Sequence, residues 1–284
     1  MKLISFTKMT GAGNDFILFD DESIELTPEK IKILCSRNYG IGADGILTIH
    51  KSQLVNFKIL YYNSDGSGGA LCANGARCAV KYLYEKGRIG RKTQFEFVGQ
   101  IFRAEVLNEH SILQWINPPY SIKLNFKVEA AGQLFNANYV DIGSKHLIIV
   151  VDDILINTSY KQSLAKDLTQ VDVNSLGKEL RYHSDFAPDG LNVNFIQMID
   201  KDQISIRTYE RGVEAETLAC GSGCVSSAII AFLVKNLNKP IKVKTFGGEV
   251  LQVDFKYDEG KFTNISLIGP AKQVFEGKID FSTI

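Results

Sequence analysis

The chain has 284 residues, 45% of them hydrophobic and 23% charged, and its 32 basic and 32 acidic side chains cancel to a formal net charge of zero. That balance gives no electrostatic footprint for nucleic acid or an anionic membrane surface, so neither is expected as a partner. The length exceeds one ordinary domain and suits two of roughly 140 residues, each able to bury its own core.

The N-terminal MKLISFTKM has too short an apolar run before Lys8 for a signal peptide, and no apolar stretch approaches a membrane span; the longest is Ala228 to Val234. Five cysteines, Cys35, Cys72, Cys78, Cys220 and Cys224, form an odd set without a secretion signal, which favours a reduced cytoplasmic protein over a disulfide framework. Residues 3–9 and 16–20 read as strands around the turn-prone TGAGND at 10–15. Thr27-Pro28-Glu29 supplies an N-cap and a first-turn proline for a helix with Ile31, Leu34 and Cys35 on its buried face. GIGADG at 40–45 matches G-x-G-x-x-G, but it follows a helix and precedes the strand-like ILTIH, the reverse of the order a dinucleotide site needs. Asn63, Asp65 and Ser67 open like a calcium loop, yet Asn74 stands where the bidentate Glu belongs. Neither motif therefore implies a nucleotide cofactor or a metal.

Thr93 to Ile116 reads as two strands around LNEHS, and Pro118-Pro119 marks a domain switch. Strand-rich sequence follows through 120–152, then a helix near 174–182, a Pro188-Asp189-Gly190 turn and a strand at 192–199. The second half then repeats the first. With Cys220 placed under Cys72, FKILYYN (57–63) corresponds to ISIRTYE (204–210), CANG to CGSG, and Gly99-Gln100-Ile101 to Gly248-Glu249-Val250. Each cysteine opens an apolar helix, about 73–86 and about 221–235. The second is apolar on nearly all faces, which implies burial on every side. The expected class is α+β: two pseudo-symmetric domains, each a curled, mostly antiparallel or mixed sheet around a central helix. Residues 1–118 with 269–284 make the half carrying Cys72, and 119–268 the half carrying Cys220.

A lone cysteine is usually a packing residue, but a thiol at a helix start sits where unpaired N–H groups favour its thiolate, and duplication argues for a pair sharing one cleft between the domains. Cys78 and Cys224 read as helix-packing neighbours, and no His lies close enough in sequence to make either Cys pair a zinc site. Two thiols suit two-base racemisation or epimerisation, one removing a Cα proton and the other returning one. A thiol pKa near about 8.5 lets modest local effects hold either form, and such chemistry needs neither cofactor nor metal. Backbone N–H groups near Ala73, Asn74, Gly75, Gly221 and Ser222 could converge on an α-carboxylate as its charge grows, the glycines permitting close approach.

MTGAGNDF (9–16), GIGADG (40–45), NSDGS (63–67), LCANGARC (71–78), GLNV (190–193), ERGVEAETLACGSG (210–223) and TFGGE (245–249) together closely resemble the diaminopimelate epimerases, over essentially the whole chain. The resemblance implies a pyridoxal-phosphate-independent isomerase that interconverts LL- and meso-diaminopimelate in lysine and peptidoglycan precursor synthesis, a homodimer in that family. Cys72 and Cys220 match the family's catalytic cysteines. Asn14, Asn63, Asn192, Glu210 and Arg211 match substrate-binding positions, with Ala73, Asn74, Gly221 and Ser222 at the carboxylate-binding helix starts and His146 and Glu210 beside the thiols. A substrate with two amino-acid ends suits this set: Arg211 fits a carboxylate and Glu210 an ammonium. The chain departs from the family at GSKH (143–146), where Gly-Asn-Pro-His is common, at Ala73 for Gly, at Ser222 for Thr, and in the one-residue-longer VEAET. The competing readings are another racemase or isomerase of the same superfamily and a non-catalytic small-molecule-binding protein with two structural thiols.

Overall fold

A computed structural model of the protein describes residues 3–69, 71–157 and 162–284. They form two compact units, Met1–Ile116 with Ile268–Ile284, and Asn117–Leu267. In the first unit, β1 (Leu3–Gly11) and β2 (Asn14–Phe19) make an antiparallel hairpin. Its turn residues Ala12 and Gly13 take φ of 57° and 89°, as a two-residue turn matched to strand twist requires. Helix α1 (Pro28–Cys35) starts where Thr27 Oγ1 accepts the Lys30 N–H at 3.3 Å and Pro28 needs no partner for its nitrogen. It carries the chain over to β3 (Gly45–His50), parallel to β2.

Strand β4 (Phe57–Asn63) runs back along β3, and α2 (Ala73–Glu85) returns the chain to β5 (Lys92–Phe97), parallel to β4. Strands β6 (Gln100–Val106) and β7 (Ser111–Trp115) complete an antiparallel meander. Ala76, Ala79, Val80 and Leu83 of α2 belong to one core with Phe57, Phe95 and Phe102, whose rings stack at centroid separations of 5.5 and 5.8 Å. Rings of this size pin the helix against the sheet through their large buried area and offset stacking.

The second unit holds β8 (Ser121–Ala130), β9 (Gln133–Asp141), β10 (Lys145–Val150), the short hairpin β11 (Leu155–Asn157) and β12 (Gln162–Leu164), and α3 (Val173–Arg181). There follow β13 (Asn192–Asp200), β14 (Gln203–Glu210), β15 (Ala215–Thr217), α4 (Gly221–Lys235), β16 (Ile241–Lys244), β17 (Val250–Asp258) and β18 (Lys261–Pro270). The last strand, β19 (Lys272–Asp280), pairs antiparallel with β1 in the first unit.

The pairing pattern repeats. As β2 lies parallel to β3, β3 antiparallel to β4 and β4 parallel to β5, so β10 lies parallel to β13, β13 antiparallel to β14 and β14 parallel to β16. Each second parallel connection is made by a helix that opens on a cysteine. Parallel neighbours need such a crossover, and this is what delivers a helix N-terminus to the end of β4 and of β14. Every residue of α4 from Gly221 to Ala231 is buried, as its all-round apolar pattern demands. Cys78 and Cys224 are fully buried and Cys35 nearly so, consistent with packing roles.

Candidate active site

The loop from Asn63 to Gly69 is folded on its own polar side chains. Asp65 Oδ1 accepts from the backbone N–H of Ser67 at 2.8 Å and from its hydroxyl at 2.6 Å, while Asn63 Nδ2 donates to Ser67 Oγ at 2.9 Å. The three residues that open like a calcium loop are thus an Asx-type turn satisfied internally, and no cluster of three metal-ligating side chains occurs among the described residues. Gly66 takes φ 86°, and a Cβ at Gly69 would lie 1.9 Å from the Tyr61 ring, so these glycines are required for the chain to double back onto β4.

That loop sets Cys72 as the N-cap of α2, with φ −110° and ψ 97°, and the Gly75 N–H points at its sulfur at 3.4 Å. Cys72 is partly exposed, whereas Ala73, Asn74 and Gly75 behind it are buried. Asn14 Oδ1 accepts from the Cys72 thiol at 3.8 Å, and the Asn14 amide is held by donating to Asp44 Oδ2 at 2.6 Å. Asp44 is in turn tied to the Asp15 N–H at 3.1 Å and to Arg37, which also bridges Asp15, as does Lys8 at 2.8 Å. Burial works to raise the Asp15 carboxyl, but hydrogen bonds from Arg37 and Lys8 hold it below its ordinary value; burial and the neighbouring Asp15 charge push Asp44 up. Asn74 Oδ1 accepts from Arg77 at 2.6 Å, fixing the first turn of α2.

In the second unit Cys220 is the N-cap of α4. Its sulfur lies 3.5 Å from Ser222 Oγ, which lies 3.0 Å from His146 Nε2. Burial, reinforced by the Glu210 charge, raises the Cys220 thiol well above its ordinary value, against the opposing pull of Ser222 and the Gly223 N–H. Glu210 accepts from Thr217 Oγ1 at 2.7 Å. Asn192 donates to Ser144 Oγ and to the Lys145 carbonyl, both at 3.1 Å, and accepts the Arg211 N–H at 2.9 Å, so it clamps residues 144–145 to the Glu210-Arg211 turn. Ser144 thus spends its hydroxyl oxygen on Asn192, and Lys145 pairs with Asp189 at 2.9 Å.

Asn14, Ala73, Asn74 and Gly75 accordingly gather at Cys72, and His146, Ser222 and Glu210 at Cys220. Asn63 instead donates to the Ser67 hydroxyl, and Asn192 ties residues 144–145 to Arg211. Three participants escaped the sequence reading: Asp44, behind Asn14, and Asn194 with Thr208, behind His146. Asn194 had a signal. It stands two residues after Asn192 on a strand where the other neighbours are apolar, and polar side chains at that period share one buried face.

His146 is fully buried, and burial together with the Arg211 charge depresses its pKa to about 3, against about 6.5 when free. The unfolded chain therefore binds the proton more tightly below pH ~6.5, and stability falls as the pH drops from there, with a slope of up to ~1.4 kcal/mol per pH unit. Urea unfolding at pH 6.5 and pH 5 should show the wild type losing more stability than His146→Gln; equal losses would show that His146 does not fold neutral.

The sequence model of the diaminopimelate epimerase family matches residues 6–114 and 138–274. The diaminopimelate epimerase of Chlorobaculum tepidum is 38% identical over 276 residues, spanning 95% of this chain and 99% of that protein. That of Aquifex aeolicus is 35% identical over 291 residues, spanning 97% and 98%. The chain belongs to the diaminopimelate epimerase family. Membership makes it an isomerase of the racemase and epimerase class and fits the two-unit α+β architecture. The diaminopimelate epimerase fold seen here is shared more widely: a probable proline racemase from Agrobacterium radiobacter K84 superposes with a TM-score of 0.76 at 12% identity, over 98% of this chain and 93% of that one. A phenazine biosynthesis protein from Bacillus anthracis gives 0.71 at 14% identity, over 99% and 100%. At such identities the likeness speaks for the fold alone.

Proposed function

We propose that the protein interconverts LL- and meso-diaminopimelate by two-base proton transfer between Cys72 and Cys220, without pyridoxal phosphate. The observation that carries this reading is the recurrence, in each unit, of one cysteine as the N-cap of the helix that makes a parallel-strand crossover. In one direction the Cys72 thiolate takes the Cα proton and the Cys220 thiol delivers its own to the opposite face; Cys72 ends as thiol and Cys220 as thiolate, poised for the reverse. The raised pKa of Cys220 supports its starting as the proton donor. The N–H groups of Ala73, Asn74, Gly221 and Ser222 are those that a helix start leaves without intrahelical partners, and they suit the α-carboxylate as negative charge builds there.

At the distal end, Arg211 takes the second carboxylate and Glu210 the ammonium, with Asn192 fixing the turn that presents both. Asn14 acts through its carbonyl on the Cys72 thiol, and Asn63 through the loop that delivers it. Proton transfer between thiols and carbon makes no demand on a cofactor. The family resemblance supports a cytoplasmic homodimer; light scattering on the purified protein should return twice the 31.6 kDa chain mass. No helix among the described residues is long and apolar enough to cross a membrane.

Incubation with LL-diaminopimelate in deuterated water, without pyridoxal phosphate, should yield the meso isomer with deuterium at the inverted Cα and leave proline untouched. Absence of exchange at micromolar enzyme would sink this function; exchange on proline alone would transfer it to the racemase relatives.

A further inference from the structure

Behind Cys220 lies a chain of buried polar side chains. Thr208 Oγ1 lies 3.0 Å from Asn194 Oδ1; Asn194 Nδ2 lies 3.1 Å from His146 Nδ1 and 3.0 Å from the Leu147 carbonyl; His146 Nε2 lies 3.0 Å from Ser222 Oγ, and that oxygen 3.5 Å from Cys220 Sγ. Relative exposures along it run from 0% at His146 and Asn194 to 6% at Cys220. A chain this deeply buried must satisfy its polar atoms internally.

Its direction is set at one point. The Leu147 carbonyl can only accept, so the Asn194 amide nitrogen faces it and the Asn194 oxygen faces Thr208, whose hydroxyl donates. The second amide hydrogen then points at His146 Nδ1, which must be the bare ring nitrogen. The ring proton therefore sits on Nε2 and is donated to Ser222 Oγ, which keeps the serine hydrogen available for Cys220 Sγ once that sulfur is a thiolate and can only accept. Packing enforces the arrangement: a Cβ at Gly223 would lie 2.5 Å from Asn194 Oδ1, so the second glycine of CGSG is needed for Asn194 to stand there.

We propose that Thr208, Asn194, His146 and Ser222 form a one-way donor chain ending on Cys220 Sγ, which supports the thiolate formed when Cys220 gives up its proton, and that Asn194 is the positioning residue that fixes the chain's direction. The role in catalysis rests on the epimerase reading; the direction of the chain does not. His146 serves as a fixed neutral donor to Ser222 and takes no proton from substrate. Both sulfurs receive a helix-start N–H, from Gly75 at Cys72 and from Gly223 at Cys220, but their side-chain neighbours differ: the Asn14 carbonyl, which can only accept, at Cys72, and the Ser222 hydroxyl at Cys220.

Nitrogen-15 NMR of histidine-labelled full-length protein, with His146 assigned from the His146→Gln spectrum, tests the direction. The wild type should show a neutral imidazole protonated at Nε2 between pH 5 and 8; a proton on Nδ1 would overturn the proposal whatever any variant does. Asn194→Asp replaces the donor at Nδ1 by an acceptor of the same shape, and should move the ring proton to Nδ1. It should lower kcat on the order of tenfold with KM within about twofold, the loss of one hydrogen bond to a charged group. Thr208→Val should also lower kcat, by severalfold, and Thr208→Ser should restore it.

Alkylation of Cys220 by iodoacetamide, followed by peptide mass mapping across pH, ties the chain to the sulfur. The groups that bear on it are Glu210 from β14, Cys224 from α4 and, through Ser222, His146 from β10 with Arg211 beside it. The apparent pKa should rise by about one unit in Asn194→Asp. A switched tautomer with unchanged kcat and unchanged Cys220 titration would overturn the proposal. If no variant nor the wild type turns over diaminopimelate while the tautomer is as described, it is the functional reading that fails.

Discussion

Cys72→Ala and Cys220→Ala are each expected to lower kcat for diaminopimelate epimerisation by 10²-fold or more, on the order of what one positioned acid or base contributes. The fold should survive both changes. Alanine at position 72 removes a weak sulfur acceptor from the Gly75 N–H and a weak thiol donor from Asn14, and at position 220 it vacates one sulfur in a nearly closed site. Each variant keeps one thiol, so each should exchange the Cα hydrogen of only one of the two stereoisomers with deuterated water, without net inversion. Steady-state rates with far-ultraviolet circular dichroism as the control decide this. Substantial epimerisation by either variant would remove the two-base assignment and return that cysteine to packing.

Arg207→Met is expected to have the largest effect on stability. The Arg207 guanidinium forks onto Glu216, Nε to Oε1 at 2.6 Å and Nη2 to Oε2 at 2.7 Å, and Nη1 donates to the carbonyls of Leu168 and Val171 at 2.6 and 2.9 Å. Its face lies 5.0 Å from the Phe246 ring centre. One side chain thereby joins β14, β15 and the segment before α3, with only 9% of the Glu216 side chain exposed. Truncating one partner strands the Glu216 carboxylate where water reaches it poorly, and breaking such buried pairs costs about 3–5 kcal/mol. For a unit of this size that corresponds to a Tm lower by roughly 6–20 °C. Arg207→Met combined with Glu216→Leu should recover most of the loss, because apolar residues carry no desolvation penalty. A calorimetric Tm within ~2 °C of wild type for the single variant would show that the pair contributes little. Since β14 leads into Glu210 and β15 leads towards Cys220, activity should fall with stability in the single variant and return in the double.

How much of the candidate site could be read from the chain depended on whether the relevant physics was local. The helix starts at Cys72 and Cys220 were legible because a glycine-rich loop, a cysteine and an apolar helical period follow one another, and because the same order occurs twice. The turn at Asn63 was legible only as polar; that Asp65 and Ser67 satisfy each other and leave no ligand cage depends on the loop's own closure. Asp44 passed unnoticed inside GIGADG, since its partner Asn14 lies 30 residues away and only the parallel pairing of β2 with β3 brings them together. Ser144 and Lys145, which depart from the family pattern, have definite partners in Asn192 and Asp189.

By itself the sequence determined the local conformations and the duplication: strand and helix periods, the Thr27-Pro28 cap, the glycines that permit tight turns, and two helices each opening on a thiol. These follow from steric and capping rules that act within a few residues. The tertiary structure decided which polar groups meet. His146, Asn194, Thr208, Ser222 and Cys220 lie on two adjacent parallel strands, a third antiparallel to them and a helix, as much as 76 residues apart, and the direction of the hydrogen bonds from Thr208 to Ser222 is set by the carbonyl of Leu147, a group whose role no side-chain pattern encodes. Hydrogen-bond direction in a buried network is fixed by the full set of partners at once, and only the folded chain supplies that set.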